Sequence, residues 1–165
     1  MEYKKLTRLS MFLALSILLS IVESFFPILS GIIPGMKLGI ANIIIVIVMF
    51  LYGRKDAFLI AILRVFLMGM LRTGVFSITF FFSLTGSLFS VGIMALLYKT
   101  KLSIIGVSIM GSIFHSIGQM IIAILLLKIP NLIYYLPFMI LFSLITGLIT
   151  GYLAKQSIQH MEKRL

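Results

Sequence analysis

The chain has 165 residues, 61% of them hydrophobic and only 11% charged, with a mean hydropathy of +1.23. That is far more apolar than the roughly half-apolar, quarter-charged norm of soluble domains, and it excludes a water-soluble globule. Fourteen Lys and Arg against four Asp and Glu give a net charge of +10, which in so apolar a chain is read as the loop charge that orients a membrane protein, with no nucleic acid as partner.

At about 20 residues per crossing, this length holds roughly six spans and no separate extramembrane domain. The expectation is an all-α integral membrane protein: one transmembrane domain over residues 1–165, folded as a compact bundle of six helices. The first span is placed at 6–26. It follows Lys4, Lys5 and Arg8, and no small-x-small cleavage site precedes Glu23, so it is expected to be retained. Ser10-Met11-Phe12-Leu13-Ala14 within it is a small-x-x-x-small pattern, extended by Ser16 and Ser20. Such a face lets another helix approach closely, from this bundle or from a partner.

Pro27 and Pro34-Gly35 end the first span, and residues 27–37 form the longest connector. The second span, 38–52, is short, so its outer end just after Lys37 is expected to be sheltered by protein rather than lipid. Gly53-Arg54-Lys55 separates it from the third, 56–72, with Asp56 at the helix start. The fourth, 76–98, carries Ser83, Gly86, Ser87 and Ser90; the fifth, 102–127, carries Ser108, Gly111, Ser112 and Ser116. These are read as close-packing faces. Lys99-Thr100-Lys101 and Lys128-Ile129-Pro130-Asn131 bound the fifth span, and the sixth is placed at 132–154.

With six spans, Lys4, Lys5, Arg8, Arg54, Lys55, Lys99, Lys101, Lys155, Lys163 and Arg164 fall on one side, against Lys37, Arg72 and Lys128 near the other. Both termini are therefore expected in the cytoplasm of a bacterial cell, the chain being a multi-pass protein of the cell membrane. All six tyrosines lie near predicted span ends, where an amphipathic ring prefers the headgroup level.

Inside hydrocarbon an ionisable side chain costs at least about 2.5 to 3.5 kcal/mol on insertion scales, so each one calls for a partner, water or a ligand. Glu23, Lys37, Asn42, Arg64, Arg72, His115, Gln119 and Lys128 collect in the outer half of the expected bundle. Arg64 and Arg72 are eight apart, and His115 and Gln119 four apart, so each pair can share one helix face and project into one cavity. One reading is an outward pocket that neutralises an anion, with Arg64 offering a planar fork matched to carboxylate or phosphate. The other is internal compensation: Glu23 pairs with Arg64 or Lys37, and His115 and Gln119 make satisfied interhelical hydrogen bonds. One carboxylate cannot neutralise Lys37, Arg64 and Arg72 together, and the surplus favours an anionic ligand. Arg72 and Lys128 individually read as interfacial residues reaching for headgroups of the surrounding lipid.

The exclusions are sharper. Cysteine is absent, which removes disulfides, thiol nucleophiles, iron–sulfur clusters and thiolate zinc sites. There is no G-x-x-x-x-G-K-S/T phosphate loop. Asp56 is the sole aspartate, so paired-aspartate magnesium chemistry on diphosphates cannot be built. His115 has no ligand set around it in the sequence, since the other histidine, His160, lies in the tail. The expectation is a protein that is not an enzyme and holds no metal and no cofactor.

Pro34-Gly35-Met36-Lys37-Leu38-Gly39-Ile40-Ala41-Asn42-Ile43, with Leu63-Arg64-Val65 and His115-Ser116-Ile117-Gly118-Gln119, resembles the Gx transporter family, often labelled heptaprenyl diphosphate synthase component I. The six-span size is similar to that of the substrate-binding S components of energy-coupling factor (ECF) transporters. The resemblance implies a small membrane subunit that captures a nutrient from outside. It would dock through small-residue faces such as Ser10 and Ala14 on a transmembrane coupling protein driven by two ATPases. Family association with isoprenoid and quinone genes implies an amphipathic acid, such as an isoprenoid phosphate or a quinone precursor. Lys37, Asn42, Arg64, His115 and Gln119 would line the site, and Glu23 would orient a basic partner. Two alternatives stand beside it: a non-catalytic membrane accessory subunit of a prenyl-diphosphate synthase, and a self-sufficient secondary carrier with Glu23 and His115 as proton-coupling groups.

Overall fold

A computed structural model describes residues 2–25 and 39–162. These form six α-helices: α1 Glu2–Ser24, α2 Asn42–Tyr52, α3 Arg54–Met68, α4 Ile78–Leu97, α5 Ile104–Leu127 and α6 Leu136–Glu162. A π-helical turn, Gly69–Thr73, continues α3, and a 3₁₀ turn, Pro130–Tyr135, leads into α6. The helix ends follow local chemistry. Ser77 and Ser103 cap α4 and α5, their hydroxyls accepting the backbone N–H of Phe80 and Gly106. Lys128 closes α5 in the left-handed region at φ 54°, with Pro130 two residues on.

Among the described residues, four segments are long and apolar enough to cross a membrane: Tyr3–Ser24, Ile78–Leu97, Ile104–Leu127 and Pro130–Glu162. The protein is thus an all-helical, multi-pass membrane protein. The second expected span is different in kind. α2 has 11 residues and is about 16 Å long, half the hydrocarbon thickness. Ile44 to Met49 are all buried, so α2 is a core helix enclosed by its neighbours. A helix apolar all round belongs inside a protein or across a bilayer, and hydropathy alone does not separate the two. Its first residue, Asn42, is buried along with Ala41 and Gly39.

The surrounding helices pack through small residues. α4 and α5 run antiparallel: a Cβ added at Gly111 would lie 2.5 Å from the Met94 sulfur, and one at Gly118 2.8 Å from the Thr85 carbonyl oxygen. α5 and α6 also run antiparallel and approach backbone to backbone, since a Cβ at Gly147 would lie 2.7 Å from Ile109 Cα and one at Gly151 2.8 Å from Ile105 Cα. Ser108 bonds Thr150 at 3.0 Å, and Ser116 bonds Ser143, across that seam. This is the close-packing role expected of the α4 and α5 small residues.

α1 packs on α2 and α3 and leaves the rest of its surface exposed. Phe12 meets the Tyr52 ring edge-on, 6.1 Å between centroids, and Phe50 meets Tyr98 at 6.2 Å. Lys5 Nζ lies 2.7 Å from Asp56 Oδ2. These contacts gather Lys5, Arg54, Lys55, Lys99 and Lys101 at one end of the bundle. The Lys5–Asp56 pair is half-exposed on the lysine side, so Lys5→Ala is expected to cost no more than about 1 kcal/mol in thermal unfolding. The small residues of α1 do not form one stripe. Ser16 and Ser20 are buried against the bundle, while Ser10 and Ala14 face outward.

Candidate functional site

At the end opposite the basic cluster, α1, α3, α4 and α5 and the residues just before α2 enclose a small cavity. Ser20 and Glu23 of α1, Gly39 and Ala41, Arg64, Val65 and Met68 of α3, Ser83 of α4 and His115 of α5 line it. Its volume is about 30 Å³, room for two or three waters.

Gly39 fixes one corner. Its backbone sits at φ 81°, a region that glycine enters freely, and its N–H donates to Glu23 Oε1. Thus the last turn of α1 holds the start of α2. Gly39→Ala is expected to cost about 1 to 2 kcal/mol from the left-handed backbone alone. The new methyl would also lie 3.1 Å from Asn42 Nδ2. Thermal unfolding in detergent checks this.

Arg64 is the centre of the polar network. It lies in the second half of α3, buried, and its Nη2 donates to Ser87 Oγ at 2.6 Å and to Asn42 Oδ1 at 3.3 Å. Asn42 Nδ2 in turn reaches Ser90 Oγ at 3.5 Å. Both hydrogen-bond partners of the guanidinium among the described residues are neutral. Glu23 does not pair with it directly, for among the described residues Lys5–Asp56 is the one ion pair. A guanidinium carries five N–H donors, and among the described residues hydrogen bonds occupy Nη2 alone. The remaining fork is what a carboxylate or phosphate engages.

Gln119 stands one helical turn beyond His115, and both lie against Gly86: a Cβ there would fall 2.9 Å from His115 Cε1 and 3.0 Å from Gln119 Cγ. Gln119 is fully buried, and among the described residues neither its Nε2 nor its Oε1 has a hydrogen-bond partner. The satisfied interhelical bond expected for it is not made.

The structure thus brings Glu23, Asn42, Arg64, His115 and Gln119 to one end of the bundle. Lys37 lies outside the described residues, as does the whole connector 27–37. Arg72 does not share a face with Arg64. The π turn at Gly69–Thr73 breaks the α-helical register between them, and Arg72 is exposed with its guanidinium 4.8 Å from the Phe25 ring centroid. Lys128 is likewise exposed. Ser87 and Ser90, expected as packing residues, also hold Arg64 and Asn42. Their spacing with Ser83 and Gly86 draws one polar stripe along an apolar helix, which was the available signal. Among the described residues no three His, Cys, Asp or Glu side chains gather to hold a metal.

The family model for heptaprenyl diphosphate synthase component I matches residues 12–157, nearly the whole chain. The chain belongs to the heptaprenyl diphosphate synthase component I family. No curated protein and no solved structure matches it. The matched region contains every residue that lines the cavity.

Proposed function

We propose that this protein is the substrate-binding, S-component-like subunit of an ECF-type uptake transporter, taking a small amphipathic anion from the outer face. An isoprenoid phosphate or a quinone precursor is the substrate class. The observation that carries this reading is Arg64: a buried guanidinium at a cavity wall whose hydrogen-bond partners among the described residues are neutral and engage Nη2 alone. A charge so placed is retained for a ligand, because stability alone is better served by an apolar side chain. By the positive-inside rule the basic end faces the cytoplasm, with both termini, and the cavity faces outward. The chain then crosses the membrane six times, α2 being a short crossing sheltered by protein. Without a phosphate loop the subunit is non-catalytic and draws energy from a transmembrane coupling protein and two ATPases.

Ser10 and Ala14 are the docking residues in this reading, since they are small and face outward on α1. The double variant Ser10→Leu, Ala14→Leu is expected to keep anion binding and to lose capture of the coupling protein on a detergent pull-down. Retained capture would remove α1 as the docking face.

A second reading is favoured by the family description, which speaks of a synthase component. In it the protein is a membrane accessory subunit that seats a soluble prenyl-diphosphate synthase and hands it an apolar substrate. It predicts a stoichiometric complex with that enzyme and an Arg64→Ala variant that still assembles it.

A further inference from the structure

The basic end of the bundle carries a second feature, remote from the Arg64 cavity. Between the start of α5 and the C-terminal half of α6 lies an open cleft of about 370 Å³, lined by Ile105, Leu148, Ile149, Tyr152 and Leu153. One glycine shapes it. A Cβ at Gly151 would lie 2.8 Å from Ile105 Cα, so α6 is seated on the α5 backbone and the larger side chains beside the contact stand away from the seam. Apart from the Tyr152 hydroxyl the lining is apolar. It ends where the exposed face of α6 turns polar, for Leu148, Ile149, Tyr152 and Leu153 are followed by Lys155 and Gln156, all exposed.

The seam also sets the charges. Gly147 lies over Ile109 and Gly151 over Ile105, a step of four residues along each helix. The next such step sets Lys155 level with Lys101, which stands two residues before the Ser103 cap of α5. Both lysines are exposed, and among the described residues the one ion pair is Lys5–Asp56. Two like charges are therefore held at one level beside an apolar cleft, with no described carboxylate paired to either. We infer that this cleft binds one anionic glycerophospholipid from the leaflet at the basic end. Its phosphate lies between Lys101 and Lys155 and relieves their repulsion. The Tyr152 ring lies at headgroup level, where an amphipathic ring is favoured, and an acyl chain follows Ile105, Leu148 and Ile149. An acidic peptide or a free phosphate would answer the two charges but not the apolar cleft. The inference stands apart from the transport reading, since it uses no residue of the cavity.

The test is native mass spectrometry of the full chain in detergent, titrated with phosphatidylglycerol and with phosphatidylcholine of the same acyl chains. Wild-type protein is expected to retain one phosphatidylglycerol at least ~10-fold more tightly. The double variant Lys101→Gln, Lys155→Gln is expected to lose that preference. Arg54→Gln, Lys55→Gln removes as much charge from the same end, but on α3, which among the described residues touches neither α5 nor α6; it is expected to keep the preference. Equal loss in both variants would mean that the summed charge of this end attracts lipid without a site, and overturns the inference. Equal affinity of the wild type for both lipids overturns it as well, with no variant needed. Glycerol 3-phosphate, the head without chains, is expected not to compete at the lipid's own concentration; competition there would make this a free-phosphate site. Hexaglutamate binding as tightly as the lipid would assign the lysines to an acidic protein, and also overturns it.

Discussion

Arg64→Ala is expected to reduce affinity for the anion by about 100-fold or more, whether the probe is para-hydroxybenzoate or geranyl phosphate. A charge-assisted hydrogen bond to a buried site contributes about 1.5 to 3 kcal/mol, and a bidentate fork makes two. The same variant is expected to remain folded, because among the described residues Arg64 contributes two hydrogen bonds to neutral groups, Ser87 and Asn42, and no ion pair. Arg64→Lys separates charge from geometry. It keeps a cation but loses the planar fork, and should recover only part of the affinity. Equilibrium binding with a parallel melting curve reads both quantities. Unchanged affinity in folded Arg64→Ala protein removes Arg64 from the site.

Gly147→Ile carries the largest expected effect on stability. The backbones of α5 and α6 meet there, and even a methyl would sit 2.7 Å from Ile109 Cα. Neither helix can yield locally, because Ser108–Thr150 and Ser116–Ser143 pin the seam on both sides. Overpacking of this kind costs about 3 kcal/mol. Gly92, also in a helix interior, is the control, as a Cβ there meets nothing within 4 Å. Gly92→Ala should be neutral or stabilising by up to about 1 kcal/mol. Unfolding of both variants in the same detergent tests the pair, and equal effects would contradict the small-residue seam as the source of cohesion.

Much of this architecture is legible in the amino-acid sequence. Hydropathy with Gly, Pro and charge as punctuation locates the helices, because each break changes the backbone or the solvation in a definite way. It does not tell whether the apolar faces of α2 meet lipid or protein, since burial by either selects the same side chains. The depth of Glu23, Asn42, Arg64, His115 and Gln119 was readable from their positions along the spans. Which of them touch was not. Arg72 looked like a partner of Arg64 by i to i+8 spacing, but a π turn is invisible to a count that assumes α-helical periodicity. Ser87 and Ser90 looked like packing residues, and they are also the acceptors that hold Arg64 and Asn42. A serine on a helix face satisfies both roles with the same spacing.

The surplus of positive charge takes a different form from the sequence argument. Arg72 has left the cavity for the aromatic ring of Phe25, so among the described residues the lining holds one cation, Arg64, and one carboxylate, Glu23. Glu23 is engaged by the Gly39 N–H, and its role is to fasten the start of α2 to the end of α1. One buried guanidinium, with hydrogen bonds among the described residues at Nη2 alone, is therefore the group that would meet an anion.

Native mass spectrometry of the protein, gently solubilised from its own membranes, tests the central claim most directly. The account predicts a bound anionic small molecule that is absent from Arg64→Ala preparations, together with a co-purifying membrane coupling protein and two ATPase chains. A stoichiometric prenyl-diphosphate synthase on a chain carrying no small anion would contradict it.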